Sequence, residues 1–284
     1  MVNFMNSNEL RKIIFNTLKV NSIPSPELES GLILAYVLGV KRSDLIIKTF
    51  NITDDIFSDA TALASRRVLG EPFQYITGHA EFMSLDFKVT QDTLIPRDDT
   101  EVLVEYIIKK FKHEKSKVSI MDIGCGSGCI GISLAHYLNS AHVTEVDISK
   151  KALAVAKENA KLHTVMDKVK FVECDILKDF PSHEKFDCVV SNPPYIKSDE
   201  IKTLEIGVKD FEPLSALDGG DDGLIFYRRI TELAKLKSGG ILAYEVGINQ
   251  AEDVKKIMQD FRYKDIEILR DLSGISRVVI GTVL

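Results

Sequence analysis

The sequence predicts an α/β protein: a parallel sheet with helices on both faces, behind a small all-helical domain and a connecting β-hairpin. Three observations carry this. From about residue 98 onward, short apolar runs alternate with segments of helical period, the pattern of strands joined by crossover helices. A glycine cluster follows directly on the first apolar run and opens a helix, as ligand-binding strand-to-helix turns do. Before residue 76, the apolar side chains recur at helix spacing.

Taken in order, residues 1–75 form the helical domain. Leu10, Ile13, Ile14 and Leu18 share one helix face, and Leu32, Ile33, Tyr36 and Val37 share another. Ser25 and Pro26 are the expected N-cap and first position of that second helix. Glu27 and Glu29 then put negative charge in its first turn, where the helix dipole favours it. Residues 61–69 suit a further helix. The segment 76–97 changes character. Phe82, Leu85, Phe87 and Val89 suggest short strands, Gly78 marks a break and Pro96 closes the stretch, so it is expected to be a linker containing a hairpin. In the remainder, 98–284, strands are expected at 118–123, 143–146, 169–174 and 188–190, with helices through Leu134 and Leu138 and over 152–162. A helix at 230–236, a strand at 241–246, a helix at 251–261 and strands at 266–269 and 278–283 complete the alternation.

The 284 residues suit two domains. With 45% hydrophobic and 27% charged residues, a packed core is expected. The net charge of −6 lacks the positive footprint that displaces counterions from nucleic acid. It favours a protein or small-molecule substrate, and no direct nucleic-acid partner is expected. Cys125, Cys129, Cys174 and Cys188 form no CxxC pair, and no histidine accompanies Cys125 and Cys129. Reduced thiols in a cytoplasmic protein, with no metal site, are the simplest expectation. No stretch approaches the ~18 apolar residues of a membrane span. Glu9 and the lack of a continuous apolar core make the N-terminus a poor signal peptide, so the chain is expected to be mature from its first residue.

The glycine cluster is Asp122-Ile123-Gly124-Cys125-Gly126-Ser127-Gly128. Glycines there allow a tight turn and let a ligand reach main-chain N–H groups. Asp147 ends the next expected strand, at about the ~20-residue distance of a ribose-binding acid. A nucleoside-bearing cofactor follows, either a nicotinamide dinucleotide or S-adenosylmethionine. Gly126 to Gly131 matches the dinucleotide fingerprint, which alone is weak. Asp122, just before the glycines, suits the cationic amino end of a methionine moiety and would repel a pyrophosphate. That favours S-adenosylmethionine. Asp175, after the third strand, is placed either to meet an adenine amino group or to serve as a helix N-cap.

Asn192-Pro193-Pro194-Tyr195 stands at the end of the fourth strand, and ligands of open parallel sheets bind beyond such strand ends. Two prolines remove two N–H donors and fix φ, leaving carbonyls without competing donors. Asn192 adds a side-chain acceptor, so two acceptors can hold both hydrogens of a planar –NH₂ group. Tyr195 offers a flat face for that group to rest on. An amide nitrogen is a weak nucleophile, and holding it in line with a methyl donor accelerates transfer by positioning and electrostatics. Asn192, Pro193 and Tyr195 are thus the candidate catalytic residues.

Asp122 to Gly128, Asp147 and Asn192 to Tyr195 resemble the S-adenosylmethionine-dependent amino-methyltransferases. Further segments narrow the resemblance: Gly70 to Gly78, Glu81-Phe82, Leu94 to Arg97, Asp99-Thr100-Glu101, Glu212-Pro213, Ala216 to Gly220, Glu245-Val246-Gly247 with Gln250, and Asp271 to Gly274 with Arg277. Together, from about residue 65 onward, they resemble the PrmC/HemK release-factor glutamine methyltransferases. That resemblance implies a Rossmann-like, seven-stranded class I S-adenosylmethionine methyltransferase sheet. It implies S-adenosyl-L-methionine as cofactor, S-adenosyl-L-homocysteine as product, and the glutamine of a Gly-Gly-Gln motif in class 1 peptide chain release factors as substrate. It implies cofactor contacts from Gly124, Cys125, Gly126, Ser127, Gly128, Asp147, Ile176 and Asn192, with Asp175 beside them. Substrate contacts would come from Asn192, Pro193, Pro194 and Tyr195, with Arg97 near the pocket. Asp98 stands where the family commonly has proline, and Ile176 where some members have an aromatic residue. The alternatives are a ribosomal-protein glutamine methyltransferase, an exocyclic-amine methyltransferase of DNA or RNA, a cofactor-binding scaffold without activity, and a dehydrogenase. The last leaves the tetrapeptide unexplained.

Overall fold

The computed structural model describes residues 5–284. The chain divides into two compact units, Met1–Gly78 and His79–Leu284.

The first unit holds α1 (Ser7–Val20), α2 (Pro26–Leu38), α3 (Asp44–Ile47), α4 (Asp54–Val68) and α5 (Phe73–Thr77). A capping box starts α1. The Asn6 side chain accepts the Asn8 and Glu9 N–H groups, and the Glu9 carboxylate accepts the Asn6 N–H at 2.8 Å. Leu10, Ile14 and Leu18 of α1 pack against Ile33 and Leu34 of α2 and Ala60 and Ala64 of α4. On α2, Leu34 and Ala35 are buried while Tyr36 is exposed. Of the face expected there, Ile33 is buried and Val37 packs on the same cluster, so spacing places that face in part and errs at Tyr36. Pro26 takes the first helical position as expected. Ser25, however, has a left-handed backbone (φ 51°) and makes no side-chain cap. The helix expected at 61–69 begins seven residues earlier, where Thr53 caps the Ile56 N–H and Asp54 and Asp55 load the first turn. Arg67 grips Glu29 through two hydrogen bonds of 2.7 and 3.1 Å, joining α4 to α2.

The second unit opens with the expected hairpin, β1 (His79–Phe82) and β2 (Leu85–Lys88). Met83 and Ser84 both have positive φ, the geometry a two-residue hairpin turn needs. It is no free linker. Phe82 and Phe87 are buried in the same apolar cluster as Ile120 and Leu134. The division therefore falls at Gly78, and the hairpin belongs to the larger unit rather than to a separate 76–97 segment.

The sheet consists of β3 (Val118–Ile123), β4 (Ala141–Asp147), β5 (Val169–Glu173), β6 (Phe186–Ser191), β7 (Leu236–Glu245), β8 (Lys264–Arg270) and β9 (Ser276–Thr282). Their order is β5-β4-β3-β6-β7-β9-β8. The pairs β3/β4, β4/β5, β3/β6 and β6/β7 are parallel. The β9 strand lies antiparallel between β7 and β8, so the sheet is mostly rather than wholly parallel. A short turn from β8 to β9 permits only that direction, because a parallel return needs a long crossover. Helices α6 (Glu101–Phe111), α7 (Cys129–Tyr137), α8 (Lys150–Leu162), α9 (Ile206–Lys209), α10 (Ile225–Leu233) and α11 (Ala251–Asp260) complete the unit. Two apolar clusters, one around Ile120 and Ile132 and one around Met121 and Tyr244, fill the two faces. Helix α6 is additional to the elements expected from sequence, and Leu103, Val104 and Ile107 give it a buried stripe. The helix expected at 230–236 lies at α10, and Leu236 instead begins β7, which bends at Gly239 (φ 75°).

Strand order runs outward from β3 through β4 and β5, then resumes on the other side with β6. This reversal opens a crevice at the carboxyl ends of the central strands. One buried amide braces it. Asn159 of α8 accepts the Lys88 N–H at 2.7 Å and donates to the Lys88 carbonyl at 2.9 Å. It also donates to the Ser127 carbonyl at 2.9 Å, so one side chain spans the hairpin and the glycine turn.

Candidate active site

A cavity of about 250 Å³ lies beyond these strand ends. Its wall includes Gly124, Gly126, Asp147, Asp175, Ile176, Asn192, Pro193 and Pro194. Gly124 and Gly126 have φ of 74° and 54°, and a Cβ at either would meet nothing within 4 Å. The turn therefore presents bare backbone to an open space, as a close-approaching ligand requires. The Gly124 and Cys125 N–H groups both donate to the Val146 carbonyl, at 2.8 and 3.0 Å, locking the turn against β4.

Cys125, Ser127 and Gly128 shape this turn and do not line the cavity. Cys125 and Ser127 are buried. The Gly128 N–H closes back onto the Cys125 carbonyl at 2.8 Å. With φ of 78° and a virtual Cβ 2.6 Å from Ile132, Gly128 is there for conformation and space. Asp122 also faces away from the cavity. It is fully buried and accepts the Gly131 N–H at 3.1 Å, so its carboxylate does not serve as the cation partner expected from its place in sequence. Beneath α7 it meets Glu145, another fully buried acid. Among the described residues, Asp122 Oδ1 and both Glu145 oxygens have no donor partner. A proton held between two facing buried acids relieves their mutual repulsion. Burial pushes Glu145 well above the usual carboxylate range and Asp122 up to about 7.

Asp147 ends β4 on the cavity wall. One oxygen accepts the Gly126 N–H at 2.9 Å and the other the Ser149 N–H at 2.8 Å. Burial raises its pKa, partly offset by those backbone bonds. A carboxylate has about four acceptor positions, so capacity remains for ligand hydroxyls. Asp175 caps no helix, because a turn and not a helix follows it. It accepts the Leu177 N–H at 3.1 Å as a turn-former while lining the cavity. Its bond to Lys178 holds its pKa low.

The tetrapeptide follows β6 directly. Asn192 Nδ2 donates to the Thr100 hydroxyl at 3.4 Å, and Thr100 donates to Glu245. Among the described residues, Asn192 Oδ1 and the Pro193 carbonyl accept no hydrogen bond from the protein. Both remain free to meet donors. Tyr195 departs from expectation, because it is not part of the cavity wall. Its ring packs into the second apolar cluster, and burial pushes the phenol up to about 12. Gln250 holds its carbonyl at 3.0 Å and is itself fixed by the Gly247 N–H at 3.0 Å. A Cβ on Gly223 would stand 2.4 Å from the Tyr195 oxygen, and one on Gly247 2.9 Å from its ring. Tyr195 anchors the tetrapeptide and does not offer it a platform. Arg97 likewise lies off the cavity wall. It pairs at 2.6 Å with Glu212, whose side chain is 1% exposed, and so ties the chain before α6 to the loop carrying Pro213 and Ala216.

Thr100, Glu245, Gln250 and Glu212 are the site residues that local sequence reasoning gave no role. They lie in segments that carry the family resemblance, but their roles show only in contacts distant in sequence.

The family described as "Methyltransferase domain" matches residues 114–279, and the one described as "PrmC N-terminal domain" matches residues 9–78. A protein of Clostridium acetobutylicum named release factor glutamine methyltransferase is 42% identical over 257 residues, covering 89% of this chain and 90% of its own. A Fusobacterium nucleatum protein of the same name is 41% identical over 271 residues, 93% of this chain and 75% of its own. This chain belongs to the release factor glutamine methyltransferase family. The fold also matches the hMettl16 catalytic domain, solved with a hairpin of the MAT2A 3′UTR, with a TM-score of 0.56. Identity there is 14%, over 84% of this chain and 85% of that one. The methyltransferase sheet is therefore shared well beyond the family. Among the described residues, no helix is long and apolar enough to cross a membrane.

Proposed function

We propose that the enzyme methylates the side-chain amide nitrogen (N5) of the glutamine in the Gly-Gly-Gln motif of class 1 peptide chain release factors, in the cytoplasm. The methyl donor is S-adenosyl-L-methionine, and the product left behind is S-adenosyl-L-homocysteine. The observation that carries this reading is Asn192. Its –NH₂ group donates to Thr100, its carbonyl oxygen accepts no hydrogen bond from the described residues, and the residue lines the cavity. A free acceptor at a methyltransferase strand end suits an N–H-bearing substrate.

The cavity fits the proposed donor. Bare backbone at Gly124 and Gly126 leaves room for an amino-acid moiety to approach. Asp147 would accept ribose hydroxyls, Asp175 would meet the adenine edge, and Ile176 would cover the base with an aliphatic surface. When bound, the donor supplies an electrophilic sulfonium methyl group. Asn192 Oδ1 and the Pro193 carbonyl would each accept one hydrogen of the substrate amide. They fix the nitrogen's orientation for in-line attack; as the C–N bond would form, the methyl C–S bond would break to leave the thioether, and one amide proton would pass to water. Pro194 stiffens this edge, and Tyr195, held by Gln250, keeps it in place.

Asp147→Ala is expected to weaken donor binding by about 1.5–3 kcal/mol, the cost of losing hydrogen bonds to a charged group. Calorimetry checks this, and an unchanged affinity refutes the ribose assignment. The reaction itself is tested by mass spectrometry of a purified class 1 release factor incubated with enzyme and donor. One added methyl group on the Gly-Gly-Gln glutamine supports the reading. No methyl group on that peptide, with donor binding intact, removes it and moves the search to ribosomal proteins.

A further inference from the structure

Thr100 and Glu245 form a two-member relay behind Asn192, and its polarity fixes which end of the Asn192 amide faces the cavity. A hydroxyl has one hydrogen to give. Thr100 gives it to Glu245. Towards Asn192 it can therefore only accept, and it takes the Nδ2 hydrogen at 3.4 Å. The amide group turned inward must be the –NH₂, which leaves Oδ1 outward.

We propose that Glu245 is a positioning residue: as an acceptor-only carboxylate it fixes the direction of the Thr100 hydroxyl and thereby holds Asn192 with its carbonyl oxygen towards the substrate nitrogen. The proposal rests on the amide-methylating reading above. Reversing the relay would present an –NH₂ to the substrate's own –NH₂, two donors facing each other.

Glu245 is buried to 2% exposure at the end of β7, beyond the reach of the cavity, so it acts through its neighbours. The charges facing it are Arg277 from β9 and Asp99 from the turn before α6, and the Asn192 side chain itself also comes within hydrogen-bonding reach of it beside Thr100. The other titratable groups near it are the phenols of Tyr195 and Tyr227 and the thiol of Cys129. Arg277 is committed elsewhere, at 2.7 Å to Asp99 and 3.0 Å to Asp271, so it leaves Glu245 to the relay. Burial raises the Glu245 pKa to about 7. Above that value the group is a carboxylate that can only accept. Below it, a carboxylic acid can donate to Thr100 and release the hydroxyl to point at Asn192.

The test compares the full-length enzyme with Glu245→Gln, Thr100→Val, Thr100→Ser and Asn192→Ala, using a purified class 1 release factor. Glu245→Gln keeps one carbonyl acceptor but adds an –NH₂ donor and removes the negative charge, so Thr100 no longer faces an acceptor-only group. It is expected to lower kcat by about tenfold to a hundredfold, the worth of one hydrogen bond to a charged group. KM for the release factor and donor affinity should stay within twofold. Thr100→Val should match it, and Thr100→Ser should restore kcat. In the parent, kcat should fall as pH drops through about 7, and that acid limb should vanish in Glu245→Gln. The double variant should be no slower than either single one. Parent-like kcat and an unchanged acid limb in Glu245→Gln, with Asn192→Ala inactive, would overturn the relay and leave the amide reading standing. Parent enzyme that fails to methylate the glutamine would instead remove the reading itself. Unchanged donor affinity in Thr100→Val shows that a lost kcat is not a lost fold.

Discussion

Asn192→Ala is expected to lower kcat by about two to three orders of magnitude, the usual cost of deleting one pre-aimed polar group from a site that works by positioning. The substitution removes Oδ1 from the cavity wall and leaves the Thr100 hydroxyl without its donor. Donor binding should suffer far less, because the bare backbone at Gly124 and Gly126 and the Asp147 carboxylate belong to other strand ends. Steady-state kinetics on a release factor, set beside calorimetry with the donor, separates the two. A variant that turns over at the parent rate would sink the proposed grip on the amide nitrogen.

The second large effect concerns stability. Asp122 and Glu145 are buried together and both pKa values are raised, Asp122 from 3.8 to about 7. The folded chain therefore keeps protons that the unfolded chain gives up, and stability falls as pH rises. Full stability is present below about pH 4 for this pair. It is lost as pH rises towards about 7, where the folded-state Asp122 ionises. Glu145→Gln replaces the shared proton with a permanent N–H donor, so the variant should be less sensitive to pH. Urea unfolding at pH 5.5 and pH 8 is the measurement. The parent should lose markedly more stability than the variant between the two. Equal losses would mean the pair does not hold a proton.

The sequence exposed those parts of the molecule whose chemistry is local. The strands flanking the glycine turn, the turn itself and the Asn-Pro-Pro segment are contiguous in the chain, and their residue types state their constraints. Gly124, Gly126, Asp147, Asp175, Ile176 and Asn192 accordingly meet on one cavity wall. Residue type alone does not tell which side of a turn a side chain takes. Asp122 sits next to the turn in sequence yet beneath it in space, and Tyr195 is turned inward by Gln250 and Gly247. The antiparallel insertion of β9 and the burial of Glu245 depend on pairings between strands dozens of residues apart. Apolar periodicity, which reports one face of one element at a time, carries no trace of them.

The buried Asn159 side chain has a practical consequence. It holds the Lys88 N–H of the hairpin and the Ser127 carbonyl of the glycine turn on one amide group. A solvent deuteron can replace the Lys88 hydrogen only when that bond opens. Loosening or tightening the glycine turn shifts the shared amide, so the exchange rate at Lys88 should follow ligand occupancy at a place the ligand does not touch. Peptides covering the hairpin thus carry a readout of the cavity that needs no label and no turnover.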